Sequence, residues 1–378
     1  MAPGMVYHLP HSIPQLDRLR GLAILLVIFF HVWKVFPPVL FNVVRLGWVG
    51  VDLFFVLSGF LITGILLDTR EIKGYFWRFY GKRVLRIWPA YLLLLIFTFC
   101  VIPILRLVAG RHIPTIPGEV LGIWAYLLMI QNFFGIGLGA SLFLRVTWSL
   151  AIEEQFYLIW PAVIQFISRR TVMLCLFAAF LSLPMLRIWA LHNGVSQWTI
   201  YINPITHGDG LFCGAVVAIW LRSAKPKRGA LLITGVALLT VCSGISIALI
   251  RYPVNYPVFD PACFPFVFTA VALSSTGLLL VALVSENAGG FLHRAFFMNK
   301  TLAFFGLISY SLYLYHETIL RFTIGDKLLA MIDIWRHPNL TARLAASFGI
   351  GFSILIAWLS RVTIERMALS KKRIFDQP

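Results

Sequence analysis

Charge is what this 378-residue chain has least of: Asp, Glu, Lys and Arg make up 12% of it, about half the share usual in a soluble domain. Acids are scarcer still, 15 against 32 Lys and Arg. Cysteine comes to five residues, Cys100, Cys175, Cys213, Cys242 and Cys263, standing singly and mostly inside apolar runs. No two have metal-ligand spacing, so neither a zinc site nor a disulfide framework is supported and no metal is expected. They read as small apolar fillers. Long polar segments are missing too. The longest non-apolar pieces, 68–87, 251–263 and 323–342, have loop length, which leaves no room for a soluble domain. No repeat relates the two halves. The first apolar run has no small-residue cleavage site and reads as a retained span, not a signal peptide.

What is present is hydrocarbon. Hydrophobic residues make up 60% of the chain and the mean hydropathy is +0.86, values of a polytopic membrane protein. Eleven runs approach spanning length: 20–38, 49–67, 88–108, 119–134, 147–168, 171–191, 205–221, 229–250, 264–285, 302–322 and 343–364. A net charge of +17 suggests nucleic acid at first sight. The basic residues instead cluster between apolar runs, the pattern of cytoplasmic loops, and nucleic acid is not an expected partner. Three clusters set the orientation: Arg70, Lys73, Arg78, Lys82, Arg83 and Arg86; then Arg222, Lys225, Lys227 and Arg228; then Arg361, Arg366, Lys371, Lys372 and Arg373.

Parity then constrains the count. Two runs precede the first basic cluster and four separate the second from the third, both even. Five lie between the first and second, so one of them fails to cross. The suspects are 119–134, which is short and ends in Gln131-Asn132, and 147–168, which carries Glu153 and Glu154. The expected fold is all-α, with about ten transmembrane helices, one re-entrant or interfacial segment, and both termini cytoplasmic. It forms one integral-membrane domain over 1–378, with a cytoplasmic tail from about 366 and no appended soluble domain. Membrane lipid is the obvious partner; oligomeric state is not readable.

Ionisable residues inside such runs are functional candidates by default. In the first, Asp17, Arg20 and His31 share a stripe. Arg20 and His31 are eleven positions apart, which at about 100° per residue puts them within roughly 20° of one face and roughly 16 Å apart along the axis. The second run, Gly47 to Thr63, contains Gly50, Ser58 and Gly59, which suit close helix packing. Its Asp52 reads as a helix cap or a substrate contact. Phe79 to Tyr91 carries Lys82, Arg83 and Arg86; these anchor the chain to anionic lipid, or Arg83 and Arg86, three apart, clamp a phosphate. Thr147 to Pro161 carries Glu153 and Glu154, which need partners in an apolar setting. Those partners are arginines in a structural role, or one carboxylate faces the site. His316 ends the stretch Ile308 to His316 and reads equally as cavity lining or packing. His207 to Gly214 reads as a helix start with packing glycines.

Taken together and in order, these motifs resemble acyltransferase family 3, integral-membrane acyltransferases that include O-acetyltransferases of bacterial surface glycans. The resemblance rests on Arg20 with His31, Gly50 to Thr63, Arg83 to Tyr91, Thr147 to Pro161, Ile308 to His316 and Glu365, spread over nearly the whole chain. Arg18 departs from a frequent glycine, His207 with Asp209 from a frequent Arg–Asp pair, and the proline often following Glu365 is missing. The resemblance implies an O-acetyltransferase of a bacterial inner membrane, moving an acyl group, usually acetyl, from cytoplasmic acyl-CoA to a hydroxyl of a glycan or glycolipid. It implies His31 as general base or acyl relay, with Arg20, Asp17, Glu153 and Glu154 around it. Lys82, Arg83 and Arg86 are implied on the CoA phosphates, and Asp52, Ser58, Trp148, Ser149, Tyr157 and His316 on the acceptor. Two other readings stand beside it: an acyltransferase for a small molecule or lipid, and a transporter or flippase using the same polar residues. The absence of paired broken helices in the two halves counts against transport.

Overall fold

The computed structural model describes residues 13–104, 122–134, 142–250, 260–285, 299–324 and 338–376. Among these no strand occurs. The helices are α1 (Pro14–His31), α2 (Pro38–Arg45), α3 (Val49–Thr69), α4 (Tyr75–Ile96), α5 (Ile123–Leu127), α6 (Thr147–Phe166) and α7 (Arg169–His192). They continue with α8 (Gln197–Ile202), α9 (Asp209–Ser223), α10 (Arg228–Leu249), α11 (Phe264–Val284), α12 (Lys300–Ile324), α13 (Pro338–Ser360) and α14 (Arg366–Ser370). Six helical stretches are long and apolar enough to cross a membrane: Pro38–Thr69, Tyr75–Ile104, Arg169–His192, Arg228–Leu249, Phe264–Val284 and Ala342–Phe375. The molecule is an integral membrane protein. Helices α1, α6 and α12 also have spanning length but carry the ionisable residues.

Several boundaries differ from the sequence reading, each for a local reason. The run 20–38 is not one helix. Helix α1 ends at His31 and a 3-10 turn, Trp33–Val35, follows; Pro37 then holds Phe36 extended, so the helix cannot resume through it. The third run gains thirteen residues at its start. Gly74 takes the left-handed conformation (φ 77°) before α4, and Lys82, Arg83 and Arg86 lie within the helix instead of a loop. The two parity suspects separate. Thr147–Phe166 is a continuous 20-residue helix, whereas 123–134 holds only the five-residue α5, Met129 at φ 54° and a 3-10 turn at Gln131–Phe134.

The chain divides into two compact units. The first contains residues up to Ala23, Val49–Ile72 and Ile152–Gly306. Here α3 packs on α9 with backbones almost touching. A Cβ on Gly59 would meet the Leu211 carbonyl, and one on Gly214 would meet Val56 and Phe60 backbone. Glycine is the residue that permits such an approach. Around this pair Leu53, Val56, Leu57, Phe60, Val217 and Leu279 close a core. On α7 the side chains of Leu174, Phe177, Leu181, Met185 and Ile188 stay exposed, a stripe suited to lipid.

The second unit contains Ile24–Trp48, Lys73–Ala151 and the chain from Leu307 onward. Its α12 is tied to α4 on either side of Pro89: Tyr310 donates to the Ile87 carbonyl (2.6 Å) and Tyr315 to that of Ala90 (3.1 Å). After α13 a π turn, Arg361–Glu365, leads through α14 to a 3-10 segment, Lys371–Asp376, that packs along α4. Phe375 fills the place that a Gly81 side chain would take, 5.2 Å from the Trp77 ring.

Candidate active site

His31 is the last residue of α1, and its tautomer follows from its neighbours. Nδ1 lies 2.8 Å from the Val27 carbonyl. A carbonyl only accepts, so Nδ1 carries the proton and the neutral ring keeps its lone pair on Nε2. Nε2 has no hydrogen-bond partner among the described residues. A basic nitrogen is thus left available for a reacting hydroxyl. The same reasoning fixes His316 on α12. Its Nδ1 donates to the carbonyls of Tyr313 (2.8 Å) and Leu312 (3.0 Å), which leaves Nε2 as an acceptor 3.4 Å from His31 Nδ1. The two rings meet edge to face at 4.8 Å.

Beside them is a carboxylate that the sequence reading missed. Glu317 is buried, and its Oε1 accepts from Arg321 Nη2 (2.6 Å) and Nε (3.1 Å) and from Arg145 Nη2 (2.7 Å). Its Oε2 is buried and unbonded among the described residues. Glu317, Arg145 and Arg321 all lie within Coulomb range of His31. The Glu317–Arg321 pair, four apart on a helix, was visible in the sequence. Arg145 had no local signal.

Other expected site residues fall into separate groups. Ser149 and Tyr313 share a hydroxyl–hydroxyl contact of 2.5 Å, and Trp148 beside them is buried. Asp17 and Arg20 pair with each other at 3.1 Å. Glu153 accepts from Ser58 (2.8 Å) and Tyr157 (3.0 Å), which assembles three expected residues, while Glu154 is half-buried. Asp52 is fully buried and meets His207 Nε2 at 3.0 Å. His207 Nδ1 donates to Tyr201 O at 2.6 Å. Arg187, also fully buried, pairs with Asp209 and donates to the carbonyls of Thr206 and Pro265, both at 2.7 Å. An arginine thus does partner Asp209, supplied by α7 and not by the position of His207.

Lys82, Arg83 and Arg86 lie in the middle turns of α4, and Arg83 lies over the Phe79 ring. The C-terminal segment brings Lys372 within Coulomb range of all three and of Arg361. Five cations therefore collect in one region, an arrangement suited to a polyanion. Glu365 is buried, accepts from Ser311 and lies 3.6 Å from Arg361. Among the described residues no group of His, Cys, Asp and Glu has the makings of a metal site.

An available histidine nitrogen and a cationic cluster in a helical membrane protein are parts suited to group transfer. The particular assignment comes from comparison: the model of the acyltransferase domain matches residues 13–362, and the chain belongs to that family. It is 28% identical over 343 residues to a peptidoglycan O-acetyltransferase, OatA, of Listeria monocytogenes, covering 86% of this chain and 52% of that protein. It is 28% identical over 345 residues to the O-acetyltransferase OatA of Staphylococcus aureus, covering 86% and 53%. A putative peptidoglycan O-acetyltransferase of Bacillus subtilis, YrhL, is 37% identical over 157 residues, covering 39% and 23%. The chain spans about half the length of the relatives it matches over most of its own. No solved structure matches it.

Proposed function

We propose that the chain is a membrane O-acetyltransferase that carries an acetyl group from acyl-CoA to a glycan hydroxyl, with His31 as general base. The observation that carries this reading is the tautomer of His31, with Nε2 unprotonated and available. An alcohol is a weak nucleophile and needs such a base. Nε2 takes the proton from the acceptor hydroxyl as its oxygen attacks the thioester carbonyl. The tetrahedral adduct collapses, the C–S bond breaks, and the proton passes from the imidazolium to the departing thiolate. Lys82, Arg83, Arg86, Arg361 and Lys372 hold the phosphates of the donor. The named relatives support a surface glycan as acceptor.

The same reading places the protein in a bacterial inner membrane with ten crossings and both ends cytoplasmic, 119–134 being the segment that does not cross. Helix α5, at five residues, is about 7.5 Å long, far short of a roughly 30 Å hydrocarbon core. The purified chain in lipid nanodiscs, given acetyl-CoA and a glycan oligosaccharide, tests the chemistry. Acceptor-dependent release of the CoA thiol is the expected result. Thiol release absent or indifferent to any hydroxyl acceptor contradicts the proposal, and stimulation only by a small molecule or lipid moves the acceptor class.

A further inference from the structure

Two residues next to each other on α12 face the base in different ways. His316 offers an acceptor nitrogen to His31 Nδ1, at 3.4 Å, while its own proton is committed to the Leu312 and Tyr313 carbonyls. Glu317 brings a negative charge into the region, and two guanidinium groups, Arg145 and Arg321, hold it there through Oε1. The charged and titratable groups acting on His31 are therefore Glu317, Arg145, Arg321 and His316.

We propose that His316 and Glu317 are the positioning residues of His31: His316 adds a second acceptor beside the Nδ1–H that the Val27 carbonyl holds, fixing the orientation of the ring, and Glu317 balances the imidazolium that forms when Nε2 takes the proton. The inference rests on the reading of His31 as base. The resemblance set Asp17 and Glu153 around His31, but each has partners of its own. Asp17 is paired with Arg20, and Glu153 is taken up by Ser58 and Tyr157.

The electrostatics give the proposal its sign. With Glu317 in place, one negative charge stands against the two guanidinium groups near His31. Without it both guanidinium groups oppose the developing imidazolium, and in a low-dielectric site such opposition is not screened. Loss of a group that orients the base is also costly: in serine proteases removing the carboxylate that orients the histidine lowers kcat about 10⁴-fold. The His31–His316 contact is longer than a strong hydrogen bond, so a smaller effect is expected here.

The test uses the full chain in nanodiscs with acetyl-CoA and the glycan oligosaccharide, folding being checked for each variant by thermal unfolding. Glu317→Gln is expected to lower kcat about 10²-fold, the scale of one acid–base contribution, with KM for acetyl-CoA unchanged. Adding Arg145→Gln restores the net charge around His31 and is expected to recover part of kcat. His316→Phe keeps a ring but offers no acceptor, whereas His316→Gln offers an amide oxygen. The glutamine variant is expected to retain at least about ten times the kcat of the phenylalanine variant, because its amide oxygen replaces the second acceptor that orients the ring. Should Glu317→Gln fail to fold, the two His316 variants decide alone. Wild-type kcat in Glu317→Gln, or equal kcat in His316→Phe and His316→Gln, overturns the inference if His31→Ala is inactive. Full activity in His31→Ala overturns the underlying reading of the base instead.

Discussion

Two histidines, His207 buried and His31 half-buried, do different work because of what their second nitrogen meets. His207 is spent on both sides, Nδ1 on the Tyr201 carbonyl and Nε2 on Asp52. His31 spends only Nδ1. The contrast extends to charge. Arg187 has Nε, Nη1 and Nη2 all engaged, with Thr206, Pro265, Thr269 and Asp209 as partners, the pattern of a structural pair. Removing one member leaves an uncompensated buried charge, a loss of about 3–5 kcal/mol. Asp209→Ala is therefore expected to lower the thermal unfolding temperature in detergent sharply. Replacing Arg187 and Asp209 together by leucine is expected to cost less than Asp209→Ala alone. Equal or greater damage in the double variant contradicts a purely structural pair.

At this scale much of the candidate site was legible. His31 and His316 each stood out as ionisable residues in apolar runs, as did Glu153 with its neighbours. Their pairings were not legible, because His31 and His316 are 285 positions apart and Ser58 and Glu153 are 95 apart. No local pattern reports such contacts. Arg187 was missed because one arginine in a long apolar helix carries no sign of the aspartate it will meet.

Among elements, two glycines set close approaches with separable consequences. Gly59 lets α3 lie against the Leu211 backbone of α9. Any larger side chain must push the helices apart and open the core around Phe60 and Val217. Gly59→Leu is expected to destabilise by about 1–3 kcal/mol or more, as overpacking does, and thermal unfolding in detergent measures it. Gly81 instead accommodates Phe375 of the C-terminal segment. Gly81→Leu is expected to release that segment from α4 while the rest stays folded. Limited trypsin digestion reads this directly: cleavage at Lys371, Lys372 and Arg373 rises in the variant, and an unchanged rate refutes the packing. Helix existence was legible from hydropathy, but helix ends were not. Spans were drawn where apolar residues began, whereas α4 starts at Tyr75 and carries its cations inside the helix. That no helix runs through to 38 was written in Pro37-Pro38, and an apolar count passed over it.

For the whole molecule, the proposed topology rests on its few charges. It sets the basic clusters near 68–87, 222–228 and 361–373 on one side of the membrane, as the positive-inside rule expects. In a variant lacking its five cysteines, single cysteines at positions 72, 226 and 374 are expected to react with an impermeant thiol reagent only from the cytoplasmic face. Labelling of any one from outside contradicts the ten-crossing arrangement. Alkali-labile acetate on cell-envelope glycans reads the proposed role of His31, at the end of α1, in moving acetyl groups to a surface glycan. Cells making the wild-type chain are expected to carry this ester. Cells making His31→Ala at the same membrane level are expected to lack it, and undiminished ester acetate in that variant contradicts the account.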